Sequence, residues 1–181
     1  MNLTQAKKLY NIIDTVRNLS GILHSDLRAI ETSAILDNSG TSYTPEYFSI
    51  EEWVPREIAS RYGKKAFMFL DTRILWTGDS FREYFNKPIF VNNYKFNGNL
   101  QYRGFRPPDV SVGASLSQHR FGRALDFEVS GISANEVRQE ITSHPSEVAF
   151  QYIKRMEKDT PTWTHVDCAN TLQDEIILFN P

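Results

Sequence analysis

The sequence predicts an α+β fold: a small sheet with flanking helices, preceded by an N-terminal helical arm. Three observations predict it. Apolar residues near the N-terminus recur at spacings of three and four, the signature of an amphipathic helix. Short stretches rich in β-formers at 89–91, 124–129, 162–168 and 175–179 read as strands. Two Ser-x-x-Glu capping boxes, Ser49 to Glu52 and Ser133 to Glu136, open helices.

In chain order, Thr4 caps a helix to about Ser20, with Leu9, Ile12, Ile13, Val16 and Leu19 on its apolar face. A second helix is expected from Ser25 to Leu36. The turn-rich segment 37–42 then sets apart an arm, 1–44, from a domain, 45–181. Such an arm packs on its domain, dimerises or binds a partner.

Within the domain, Phe67, Leu70, Ile74, Leu75, Phe81, Tyr84 and Phe85 predict a helix broken near Gly78 and ended by Lys87-Pro88. Ile89 to Val91 reads as a buried strand, and Trp53, Phe67, Phe69 and Trp76 as core. From Tyr94 to Leu116 glycine, asparagine and proline predict loop, a place for the edge of a substrate groove.

The period of two in Ala124 to Val129 puts Ala124, Asp126 and Glu128 on one face and turns Leu125, Phe127 and Val129 into the core. The helix from Ser133 runs to about Thr142. Pro145, Ser146, Val148, Ala149, Tyr152, Ile153 and Met156 predict another. Thr162 to Cys168 is a strand with Trp163, His165 and Asp167 on one face, and Glu175 to Phe179 closes the sheet.

Composition bounds the function. A chain of 181 residues, 40% hydrophobic and 23% charged, fits one globular domain with a sizeable core. A net charge of −2 gives no overall drive toward nucleic acid. One cysteine, Cys168, excludes an internal disulfide framework and any CxxC metal pair. No apolar h-region follows the N-terminal residues and no run of eighteen apolar residues occurs. The expectation is a soluble protein made in the cytoplasm, with no membrane insertion.

The residues that carry chemistry are His119, Asp126 seven positions on, and His165 some forty residues further. Two imidazoles and a carboxylate suit a divalent metal such as Zn2+, and three protein ligands leave a coordination position for water, as in catalytic sites. A carboxylate between Leu125 and Phe127 needs compensation, which a cation supplies. Asp167 is placed to orient an imidazole. His24 and His144 read as ordinary hydrogen-bonded histidines.

Ser117, His119, Gly122, Ala124 and Asp126 complete the pattern S-x-H-x-x-G-x-A-x-D, and Trp163 and His165 follow as W-x-H. Over roughly residues 45–170 the chain thereby resembles the M15 metallopeptidases, the D-alanyl-D-alanine carboxypeptidases and peptidoglycan endopeptidases. The resemblance implies a small antiparallel sheet with flanking helices of the hedgehog/DD-peptidase kind. It also implies a zinc ion on His119, Asp126 and His165, and hydrolysis of an amide in the peptidoglycan stem peptide, at the cell wall.

Gly104-Phe105-Arg106-Pro107-Pro108 is similar to the family's G-Y-R-S-P segment, which makes Arg106 the residue that binds a substrate carboxylate or polarises the scissile carbonyl; Arg103 is a second candidate. Ser117 either bonds substrate or caps its turn. Many members carry a glutamate three positions before the last histidine, where this chain has Thr162. The general base is then Glu157 or Asp159. The alternative is a zinc-containing binding module with a hedgehog-like fold that does not hydrolyse.

Overall fold

The computed structural model describes Lys8, residues 43–173 and residues 175–180. The chain divides into two units between Glu46 and Tyr47. The helices expected over 4–20 and 25–36 lie outside the described residues, Lys8 excepted.

The second unit opens with the capping box: the Ser49 amide donates to Glu52 at 2.9 Å, starting the 3-10 turn Ile50–Glu52. Helix α1, Arg56–Tyr62, and a 3-10 stretch, Gly63–Phe69, lead to helix α2, Thr72–Phe85. Asp71 caps α2 by accepting from the Arg73 amide at 3.0 Å. The cap is why the helix starts here and not at Phe67 as expected.

Nor does Gly78 break α2. A Cβ there would stand 2.7 and 2.8 Å from the indole of Trp53, which is fully buried, so the glycine permits close packing. Asn86, left-handed at φ 48°, ends the helix.

Strands β1, Ile89–Phe90, and β2, Ala124–Val129, come next, separated by long loops and the 3-10 turns Tyr94–Phe96 and Gln118–Phe121. Helix α3, Ala134–Ser143, carries the second capping box. The helix expected from Pro145 to Met156 is absent. Only a 3-10 turn, Val148–Phe150, forms, followed by strand β3, Arg155–Glu157. The helical spacing there misleads because its apolar residues serve two elements. Phe150 packs on Tyr84 and Phe81 of α2, with centroids 4.8 and 5.8 Å apart, whereas Met156 lies opposite Val166 in the sheet.

Strands β4, Thr164–Asp167, and β5, Ile177–Phe179, complete the sheet, which among the described residues has five strands in the order β1-β2-β4-β3-β5. The sheet is mixed and not wholly antiparallel: β5 runs parallel to β3. The chain leaving β4 passes beyond its neighbour β3 before pairing, and so returns in the direction β3 already has.

Leu125, Phe127 and Val129 face the helices. Phe127, fully buried, meets Phe81 at 4.8 Å; burying one such side chain is worth about 1.5–3 kcal/mol. Trp53 and Trp76 are core as expected, while Phe67 and Phe69 are half-buried. The opposite sheet face carries Asp126, His165 and Asp167. Among the described residues, no helix is long and apolar enough to cross a membrane.

Candidate metal centre

Asp126 and His165 are register partners on adjacent strands, β2 and β4, so strand pairing alone sets their side chains on one face. His119 arrives from the 3-10 turn Gln118–Phe121. Two glycines allow that approach. Gly122 is left-handed at φ 65°, and a Cβ on it would collide with the Phe69 carbonyl; a Cβ on Gly104 would collide with the carbonyl of Trp53. The backbones close up at both points, and the Gly104 carbonyl lies 2.6 Å from His119 Nδ1.

One donor atom from each of His119, Asp126 and His165 lies within 4.8 Å of the others, all three residues being buried. His165 Nδ1 stands 2.6 Å and His119 Nε2 3.1 Å from Asp126 Oδ1, and the two nitrogens are 3.2 Å apart. Ligand atoms around a tetrahedral zinc are about 3.3 Å apart, so a spread of a few tenths of an ångström accommodates the ion. A carbonyl can only accept, so His119 Nδ1 carries the proton donated to Gly104, and in the neutral ring Nε2 keeps its lone pair toward the triad. The buried triad could hold a metal ion.

The electrostatics agree. Burial alone would raise the Asp126 pKa, but the two imidazoles hold the carboxyl below the usual range. Burial lowers the His119 pKa, against the pull of Asp126. Burial also opposes a charge on His165, yet its hydrogen bond to Asp126 and the Asp167 carboxylate on its other side outweigh that and push it up to about 9. Without a metal, the Nδ1 proton of His165 occupies the space between the ligands.

Arg106 donates from Nη2 to Asp126 Oδ2 at 2.7 Å and from Nε to the Tyr102 carbonyl at 2.6 Å. It fixes the outer carboxylate oxygen and leaves Oδ1 for the triad. Arg103 is engaged elsewhere: Nη1 pairs with Glu128 at 2.6 Å, and its carbonyl accepts from the Asp126 amide at 2.8 Å. Ser117 is the N-cap residue of the His119 turn, without a side-chain cap bond; its carbonyl accepts from the Arg120 amide.

Glu157, half-buried in β3, shares a sheet face with Arg155. Burial raises its pKa; His165 and Arg106 draw it down, Asp126 and Asp167 push it up. The structure thus brings Glu157 within electrostatic reach of the triad. Asp159 and Thr162 are exposed in the loop after β3. Cys168 is buried, and burial pushes its thiol up to about 12, which removes it as a nucleophile.

Sequence reasoning missed two arginines. Arg120 donates to four carbonyls of the loop before it, those of Pro107, Pro108, Val110 and Ala114, at 2.5–3.3 Å. Arg155 grips Asp167 with Nε at 3.0 and 3.1 Å and Nη2 at 2.8 Å. Neither carries a spacing signal, because both act on backbone or on a residue far along the chain. No protein-family model, curated protein or solved structure matches this chain.

Proposed function

We propose that the domain is a zinc peptidase of the M15 kind that hydrolyses an amide bond in peptidoglycan stem peptides. The observation that carries this reading is the convergence of His119 Nε2, Asp126 Oδ1 and His165 Nδ1 in a buried cluster. Two nitrogens and one oxygen suit zinc, and three protein ligands are the number found where a coordination position stays open for chemistry. A zinc ion held there would supply Lewis acidity toward the scissile carbonyl and lower the pKa of a bound water.

The chain's own residues account for the rest. Glu157 accepts a proton from the attacking water and returns it to the nitrogen as the C–N bond breaks. A carboxyl lifted by burial is better matched to both halves of that exchange than an exposed one. Arg106, anchored on Asp126 Oδ2, offers its guanidinium to a substrate oxygen.

The test is mass spectrometry of purified peptidoglycan incubated with zinc-loaded protein, with and without a chelator. New chelator-sensitive fragments are expected, and their masses name the bond: loss of terminal D-alanine or an internal cut. A protein that holds zinc yet yields no fragments would be a non-hydrolytic binding module.

A further inference from the structure

His165 presents Nδ1 to the triad, so its other nitrogen decides how firmly the ring is aimed. Nε2 faces Asp167 Oδ2 at 3.5 Å. Asp167 is fully buried, and a buried carboxylate keeps its charge and place only if its oxygens are bonded.

Those bonds come from two directions. The Ala169 amide donates to Oδ1 at 3.0 Å, and the Arg155 guanidinium reaches both oxygens, with Nη2 at 2.8 Å from Oδ2. Arg155 is Asp167's register partner across β3 and β4, so the fork lies beside the carboxylate by strand pairing. On its far side, β5 lays the Phe179 ring 4.9 Å from the guanidinium carbon and 5.8 Å from the His165 ring, at 90° to the latter.

We infer that Arg155 is a positioning residue of the metal centre: it locks Asp167 so that this carboxylate holds the Nε2 side of His165 and aims Nδ1 at the metal. The chain of action is Arg155 to Asp167 to His165. It rests on the zinc reading above, since it assigns a role toward that ion. Outer partners of metal-bound imidazoles act this way generally, fixing ring orientation and tautomer. Arg155 suits the task better than lysine would, because a planar fork fixes a carboxylate's orientation and a point charge does not.

The experiment measures zinc affinity by chelator competition for wild type, Arg155→Met, Arg155→Lys, Asp167→Asn and the Arg155→Met/Asp167→Asn double variant. Thermal unfolding of each metal-free protein is followed alongside. Arg155→Met is expected to weaken zinc binding about 10- to 100-fold, with Arg155→Lys between it and wild type. The double variant should bind no more weakly than Asp167→Asn, because Arg155 acts through that carboxylate alone. With cobalt(II) in place of zinc, the visible bands of Arg155→Met should shift from wild type, which a general loss of stability would not produce.

Wild-type affinity in Arg155→Met overturns the inference and leaves the zinc reading standing. So does a double variant weakened by the full product of the two single effects. A wild-type protein that takes up no zinc overturns both.

Discussion

In the metal-free protein, stability should fall with rising pH in a way that reports on His165. In the metal-free protein its imidazolium is held between Asp126 and Asp167 and titrates at about 9, against 6.5 for an unperturbed imidazole. A folded-state pKa above the unfolded one contributes stability that is fully present below pH 6.5 and lost as pH rises through 9. At about 1.36 kcal/mol for each pH unit between the two values, the loss is roughly 3 kcal/mol, a sizeable share of the stability of a domain this size.

A zinc ion on the proposed triad would compete for the same Nδ1, so its binding at pH 7 would expel that proton. Affinity should therefore rise about tenfold per pH unit from 7 toward 9. An ordinary imidazole would give a nearly flat profile there. The assay is urea unfolding of chelator-treated protein from pH 6 to 10, with His165→Asn as control, and zinc titration over the same range. Constant stability of the metal-free protein between pH 6.5 and 9, or the same decline in His165→Asn, would refute the reasoning.

Three further outcomes are expected. His119→Ala, Asp126→Ala and His165→Ala should each fail to retain zinc through dialysis, as read by metal analysis; full occupancy in all three would contradict the ligand set. Glu157→Gln should lower stem-peptide turnover about 10²- to 10⁴-fold while zinc content stays at the wild-type level, and Asp159→Asn should change turnover little; the reverse pattern moves the proton carrier to Asp159. Gly78→Ala gains about 1 kcal/mol of helix propensity but drives a methyl to 2.7 Å from the buried Trp53 ring, and overpacking costs about 1–3 kcal/mol. The variant should be less stable than wild type in denaturant unfolding, and a higher midpoint would show that the indole yields freely.

Much of the site was legible because its signals are local. The ten residues from Ser117 to Asp126 contain two of the candidate ligands, the glycine that turns the chain and the start of β2, and the period of two in β2 places Asp126 opposite the core residues Leu125 and Phe127. Both capping boxes form as read. Illegible features depend on partners distant in sequence. Whether Gly78 breaks a helix or admits an indole is decided by Trp53, and whether 145–156 coils or extends is decided by the strands that Met156 joins. The parallel pairing of β5 follows from which edge of the sheet is open, which no pattern within Ile177–Phe179 records. Of the two acids proposed as base, only the tertiary position of β3 separates half-buried Glu157 from exposed Asp159.

The candidate metal centre and the sheet are specified by the same side-chain alternation. Asp126 faces His165 only while Leu125 faces Val166 and Phe127 faces Thr164 on the opposite surface, and a slip of one residue would turn every one of these side chains over. The buried residues Leu125, Phe127 and Val166 oppose such a slip, so hydrophobic packing on one face holds the register that brings two candidate ligands together on the other. His119 stands outside this arrangement, held by a turn whose glycine is left-handed, by the bond of its Nδ1 to the Gly104 carbonyl, and by the Arg106 amide, which donates to the His119 carbonyl. Perturbing the sheet therefore removes Asp126 and His165 together, whereas perturbing the turn removes His119 alone and leaves a two-ligand site. Since a ligand stabilises the state that binds it better, a zinc ion on the triad would oppose opening of the sheet, which loses two of the candidate ligands, more than opening of the turn, which loses one.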